Sequence, residues 1–312
     1  MYDLIGDLHG HAEPLRALLA RLGYRCSRGV WRHPERRVIF VGDFIDRGPH
    51  QVETIAIARA MIDSGSALAV MGNHEFNAVA WTLPHPGRSG EWLRPHNARN
   101  RGHHQAFLDQ VGEDSPRHRE MVAWFRSLPL YLDLPGLRVV HACWHPGAVA
   151  RLAPHLDAHG RVRGDAWTRV AASGTDAYAA AELLLKGIEV TLPSGLSFVD
   201  GEGSVRKRVR MRWWQRDGGS WRDLLMVPRS LREQLPEQAA PHRALPGYDA
   251  VKPVFLGHYW LSGEPAPLTP HIACLDYSVA ARGARAAGKL CAYRWSGEQV
   301  LCPTRFHWVP AR

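Results

Sequence analysis

The sequence predicts an α/β fold on three observations. Short, almost wholly apolar runs recur along the chain, the first three are separated by segments of helical periodicity, and each run ends at once in a polar stretch opened by glycine or histidine. Near-continuous apolar strands suit a sheet covered on both faces. Strand–helix–strand repeats imply right-handed crossovers between parallel strands. The carboxyl ends of such strands share one edge of the sheet, so the polar residues just beyond them converge in space.

Taken in order, Tyr2-Asp3-Leu4-Ile5 runs into Gly6-Asp7-Leu8-His9-Gly10-His11. A helix follows, with Leu15, Leu18, Leu19 and Leu22 on one face, Pro14 near its start and Gly23 as its C-cap. The run from Arg37 to Val41 leads to Gly42-Asp43-Phe44-Ile45-Asp46-Arg47-Gly48-Pro49, and a second helix over Gln51–Ile62 stops at Ser64-Gly65. Ala67–Met71 leads to Gly72-Asn73-His74-Glu75, Leu137–Val140 to His141-Ala142-Cys143, and Pro253–Leu256 to Gly257-His258. Between Ala150 and Pro246 the chain is rich in Ala, Arg, Gly and Pro. We expect an insertion or cap there, at about 150–250 of a single domain spanning 1–312, with one helix near Asp176–Lys186 and some strand pairing after it. The runs Ile272–Tyr277 and Lys289–Trp295 are expected as strands of a closing second sheet.

Composition narrows the class. With 312 residues, 45% hydrophobic and 22% charged, the chain reads as soluble globular material and not as a disordered or fibrous one. No apolar run approaches the ~18 residues of a membrane span. The first charged motif begins at Gly6, before a secretory apolar region of about 7–15 residues could fit, so no such leader is expected. Five scattered cysteines without a Cys-x-x-Cys pair fit idle thiols in a reducing cytoplasm. A net charge of +9 favours anionic partners.

Six potential metal ligands lie past the strand ends: Asp7, His9, Asp43, Asn73, His141 and His258. Mixed carboxylate and imidazole donors suit manganese, iron or zinc better than calcium or magnesium, which prefer oxygen alone. Asp43 has two oxygens with which to bridge two ions, and Asn73, His141 and His258 would complete the second. Two ions about 3.5–4 Å apart polarise a phosphoryl group and acidify water. Arg47 is then expected to clamp phosphate oxygens in a fork, and Asn73 to touch the substrate as well. His74 is expected to protonate the leaving oxygen, oriented by Asp46.

A lone Gly-Asp is more often a turn than a ligand, but three motifs in order are not: Asp43 follows His9 by 34 residues and Asn73 follows Asp43 by 30. Together they resemble the motifs of the calcineurin-like metallophosphoesterase superfamily, and within it the phosphoprotein phosphatase branch. The resemblance covers Met1–Gly147 well and Lys252–Arg305 less closely, and leaves the middle uncovered. It implies a four-layer α/β/β/α sandwich, with the six residues above on two metals and Asp46, Arg47 and His74 in the roles just given. Many other superfamily members carry Gly-His-x-His at the last motif, where this chain has Gly257-His258-Tyr259-Trp260; that favours the phosphatase branch.

The stretches Gly257 to Asp276 and Gly288 to Trp295 also resemble the tail of bacterial symmetrical diadenosine tetraphosphate hydrolases, which usually lack the aspartate matching Asp46. The implied activity is phosphomonoester hydrolysis most like that of a serine/threonine protein phosphatase, with symmetrical dinucleoside polyphosphate cleavage as the alternative. The implied substrate is a phosphoprotein or a nucleotide, and nucleic acid remains open. The basic run Arg206–Arg212 is the expected source of a second phosphate-binding arginine, with Arg212 the candidate. Its plainer reading is a solvated strand with Val209 and Met211 turned inward. His85, His96, His103, His104 and His118 are expected on loops or surface, the tryptophans in core and cap packing, and Cys143 outside the chemistry.

Overall fold

The computed structural model describes residues 1–199, 205–215, 219–237, 245–281 and 288–311. Its first half follows the expected order: β1 (Tyr2–Ile5), α1 (Ala12–Arg21), a hairpin of β2 (Arg25–Ser27) and β3 (Val30–Arg32), β4 (Arg37–Phe40), α2 (Gln51–Asp63), β5 (Ala67–Ala69) and α3 (Asn73–Trp81). Then come α4 (Ala98–Val111), α5 (Pro116–Arg126), β6 (Tyr131–Asp133), β7 (Arg138–Val140), α6 (Pro146–Leu152), α7 (Trp167–Ala171) and α8 (Asp176–Lys186). The cap supplies β8 (Glu189–Thr191), β9 (Phe198–Val199), β10 (Val205–Arg206), β11 (Arg208–Arg210), α9 (Trp221–Leu224) and α10 (Arg229–Arg232). The chain closes with β12 (Val254–Leu256), β13 (Ile272–Cys274), β14 (Asp276–Tyr277), β15 (Lys289–Trp295) and β16 (Phe306–Pro310).

Two sheets form. One runs β14-β15-β1-β4-β5 with β16 on β15; β1, β4 and β5 are parallel and β15 is antiparallel to β1. The other runs β13-β12-β7-β6, parallel except at β6. Alternation along the strands sorts side chains into layers. Leu4, Ile39, Val139, Phe255 and Tyr293 join one apolar cluster that both sheets share. Their neighbours Ile5, Phe40, Val140, Leu256 and Ala292 join the cluster packed against the helices. This is the four-layer α/β/β/α sandwich.

The second sheet differs from expectation in one respect. Lys289–Trp295 joins the first sheet beside β1, and Ile272–Tyr277 divides between the two sheets. The chain crosses at Leu275, whose N–H bonds the Leu256 carbonyl, and Asp276 then accepts from the Trp260 N–H. The helix expected near Asp176–Lys186 is α8. Among the described residues the strands of this segment pair in two-stranded ladders, β8 with β11 and β9 with β10, beside a separate small core of Leu192, Val209, Met211, Leu224, Leu225 and Leu231. Parts of the expected 150–250 insertion lie outside the described residues. Trp213, fully buried, ties the cap down by donating from its indole N–H to the Ala142 carbonyl at 3.1 Å and the Tyr259 hydroxyl at 3.0 Å. No described helix is long and apolar enough to cross a membrane.

Candidate binuclear metal centre

Five loops meet at the carboxyl ends of β1, β4, β5, β7 and β12, and their backbones are stitched together before any side chain is considered. The Leu8 and His9 N–H groups both bond the Asp43 carbonyl, the Gly48 N–H bonds the His9 carbonyl, and the Gly257 N–H bonds the His141 carbonyl. Approach is so close that a Cβ on Gly72 would lie 2.2 Å from Asp43 Oδ1, and one on Gly257 only 2.0 Å from Asp7 Oδ1. Ten described non-glycine residues have left-handed φ, and six of them are here: His9, Asp43, Asp46, Arg47, His258 and Trp260. Strain of this kind persists only where the surroundings over-determine it, and it gathers at functional sites. Glu75 is the clamp. Its buried carboxylate accepts from the N–H groups of Asp43, Phe44 and Gly72 at 2.8–3.0 Å. Burial, with the Asp43 charge nearby, raises its pKa to about 7.

All six expected ligands are buried here. Asp43 Oδ2 is the hub, 3.2 Å from His141 Nε2, 3.7 Å from His9 Nε2 and 3.9 Å from His74 Nε2. Among the described residues, two groups have ligand atoms within 4.8 Å of one another: His9, Asp43 and His74, and Asp43, His141 and His258. Asn73 Oδ1 faces the second group, 2.8 Å from His258 Nδ1 and 3.2 Å from His141 Nε2. Asp7 belongs to neither group; its carboxylate accepts from the His258 N–H at 3.1 Å. Burial, with Asp276 next in weight, pushes the Asp7 pKa well up.

The tautomers test the fit to cations. His9 Nδ1 donates to the Ile45 carbonyl at 2.8 Å and His141 Nδ1 to the Val41 carbonyl at 2.7 Å. Each ring therefore turns the other nitrogen on Asp43, and a neutral imidazole would aim a lone pair at a carboxylate oxygen. Nε2 of His9 and of His258 are buried without a hydrogen-bond partner. Only a cation, or a proton, relieves such a set. Burial opposes a proton on His141, but Asp43 overrides it and raises the His141 pKa to about 10, whereas burial, followed by Arg47, holds His9 well below its usual value. The donor set fits divalent metal.

Catalytic candidates border the same space. His74 Nδ1 donates to Asp46 Oδ2 at 2.5 Å, and the Arg47 guanidinium lies 4.3 Å above the Trp260 ring. A cleft of about 300 Å³ opens over them, bearing the cations Arg47, Arg94, Arg99, Lys186, Arg206 and Arg210. Arg212 is not among them. It donates to the Asp223 carbonyl at 2.7 Å, because β11 ends at Arg210 and the chain then turns to pair the Arg212 N–H with the Leu224 carbonyl. Arg206 and Arg210 are the residues of the basic run that line the cleft, while Val209 and Met211 point inward. Two of the five histidines differ from expectation: His104 and His118 are buried on helices, whereas His85 and His96 lie on loops, His96 stacked between Trp81 and Trp92, and His103 lines the cleft. His104 Nδ1 contacts Asp46 Oδ1 at 2.8 Å, a partnership that no local pattern in the sequence signals. Cys143, buried and with its thiol pKa pushed up, takes no part.

Residues 2–167 match the family described as calcineurin-like phosphoesterase. The chain belongs to this family of metal-dependent phosphoester hydrolases. Among curated proteins it is 45% identical over 74 residues to the bis(5'-nucleosyl)-tetraphosphatase PrpE [asymmetrical] of Halalkalibacterium halodurans, covering 23% of this chain and 30% of that one. It is 29% identical over 156 residues to the protein of that name from Oceanobacillus iheyensis, covering 50% and 59%. The chain thus spans between 30% and 59% of the length of these relatives. A cold-active protein tyrosine phosphatase of known structure aligns over 94% of this chain and 73% of its own, with a TM-score of 0.50 and 17% identity, a likeness of fold.

Proposed function

We propose that the chain is a binuclear metal-dependent phosphoesterase. The observation that carries this is the pair of buried imidazoles, His9 and His141, each held by a backbone carbonyl so that Nε2 faces Asp43 Oδ2. His9 and Asp43, with Asp7 behind them, would hold one ion, and Asp43, Asn73, His141 and His258 the other; manganese is the expected metal, with iron or zinc as substitutes. Divalent ions there would polarise the phosphoryl oxygens and make hydroxide available near neutral pH. Arg47, kept in place by the Trp260 face, clamps the phosphate oxygens, and Asn73 adds an amide contact. His74, with Nδ1–H fixed on Asp46, is left with Nε2 to carry a proton to the departing oxygen.

For the substrate, the cleft favours more than one phosphate. Six cationic side chains against Glu189 and Asp46 exceed what a lone phosphomonoester needs, and the relatives named as tetraphosphatases agree with a dinucleoside polyphosphate. Phosphomonoester or phosphoprotein hydrolysis is the second reading, supported by the intact Asp46–His74 pair. We would assay diadenosine tetraphosphate, a phosphoserine peptide and para-nitrophenyl phosphate with Mn, Fe, Zn and Mg in turn. Two ADP molecules would mean symmetrical cleavage, AMP with ATP asymmetrical. Absence of bound metal by elemental analysis together with no hydrolysis of any substrate would refute the proposal.

A further inference from the structure

We propose that His104 is a positioning residue for the proton donor, holding one oxygen of Asp46 so that the other stays locked on His74. This rests on the phosphoesterase reading above. Asp46 is 3% exposed and has two acceptor oxygens: Oδ2 is 2.5 Å from His74 Nδ1, and Oδ1 is 2.8 Å from His104 Nδ1. Its backbone is fixed as well, with φ of +71° and the N–H donated to Gln51 Oε1 at 2.7 Å. His104 comes from α4, on a different segment from Asp46 and His74, and sits 5.0 Å from the Phe107 ring and 5.7 Å from the Trp81 ring.

The chemistry of the contact sets the tautomer. A carboxylate cannot donate, so both imidazoles must present Nδ1–H to it. Burial raises the Asp46 pKa, but His104 first and His74 after it outweigh this and hold the carboxyl well below its usual range. His104 Nε2 is buried with no hydrogen-bond partner, which leaves this ring one polar task, the bond to Asp46. Without it, Asp46 Oδ1 would be a buried, unsatisfied acceptor, and rotation of the carboxylate toward water would release His74. When a water-derived oxygen bonds to phosphorus and the P–O bond to the leaving group breaks, the phosphoryl group leaves as phosphate and the departing oxygen takes the proton from His74 Nε2. His74 ends neutral with Nδ1–H still on Asp46, so its ring must not swing during the transfer.

The test separates leaving groups. Dinitrophenolate departs from 2,4-dinitrophenyl phosphate without a proton, whereas the alkoxide of benzyl phosphate needs one. His104→Leu should lower kcat on benzyl phosphate ~30-fold, as losing an outer-shell partner does elsewhere, and by less than about 3-fold on the dinitrophenyl ester, with KM steady on both. His104→Asn, whose amide N–H replaces Nδ1–H, should recover benzyl activity to within about 3-fold of wild type. Equal losses on the two esters, or no recovery with Asn, would overturn the proposal. Nitrogen-15 histidine spectra of the zinc-loaded protein give a readout free of turnover. The ring signal lost in His104→Asn must come from a ring that carries a proton on Nδ1, and a ring protonated on Nε2 alone would also overturn it. If wild type cleaves neither ester nor diadenosine tetraphosphate and binds no metal, the phosphoesterase reading fails, and the spectra still decide whether His104 presents Nδ1–H to Asp46.

Discussion

The motif wall of the cleft, from Asp7 to Glu75 with His141 and His258, and the cap wall, from Lys186 to Arg210, face the same space and are built by different physics. On the motif wall each reactive group is buried and held from behind: His9 by the Ile45 carbonyl, His141 by the Val41 carbonyl, His74 by Asp46, and the loop bearing Asp43 by Glu75. On the cap wall Arg206 and Arg210 ride on short ladders beside a separate small core, and Lys186 ends α8. Arg210 donates to the His258 carbonyl at 2.8 Å and lies over the Tyr259 ring. The first wall fixes what reaction is possible. The second sets what is brought to it, and it touches the motif loops through the Arg210 bond to the His258 carbonyl.

This contrast predicts a graded set of effects. Asp43→Asn should remove the hub of both ligand groups and lower turnover ~10³-fold while the melting temperature of the metal-free chain stays within a few degrees. Activity within tenfold of wild type would erase the distinction between the walls. Next comes proton competition at His141. Its raised folded pKa, about 10, stabilises the metal-free chain fully below the unfolded value of 6.5, and that contribution is lost as pH rises through the folded value. Metal must displace this proton, so affinity should climb about tenfold per pH unit up to that point. Melting of chelator-stripped and metal-loaded protein from pH 6.5 to 9.5 should show a widening gap; a constant gap would count against His141 as a ligand.

Effects on the cap wall should be smaller and of another kind. Arg210→Gln should raise KM for diadenosine tetraphosphate about tenfold and change kcat by less than about 3-fold, a loss of binding shared by ground and transition states. A fall in kcat instead would move Arg210 into the chemistry. Smallest is Arg212→Gln, expected to change KM by less than about 2-fold, since Arg212 is spent on the Asp223 carbonyl. A KM effect matching that of Arg210 would restore it to the cleft.

The same contrast explains what could be read from the sequence. The motif wall was legible because packing wrote it twice, as apolar strands and as the glycines that end them. Gly72 and Gly257 stand where another residue's Cβ would strike a carboxylate. Arg212 misled because alternation along the basic run says which residues share a face but not where β11 stops, one pairing step earlier at Arg210. His104 was invisible because its partner lies 58 residues away, and nothing in the helical pattern of α4 separates a histidine on a carboxylate from one in solvent. The division of Ile272–Tyr277 between two sheets had a trace, the charged Asp276 inside an apolar run.

The left-handed backbone at His9, Asp43, Asp46, Arg47, His258 and Trp260 has a consequence for descent. Side-chain-bearing residues in that region each cost about 1–2 kcal/mol, so folding alone gives a lineage no reason to keep them. A gene copy released from its task should therefore erode here first, toward glycine and asparagine, and grow sturdier as it falls silent. Those six codons would tell working copies from derelict ones.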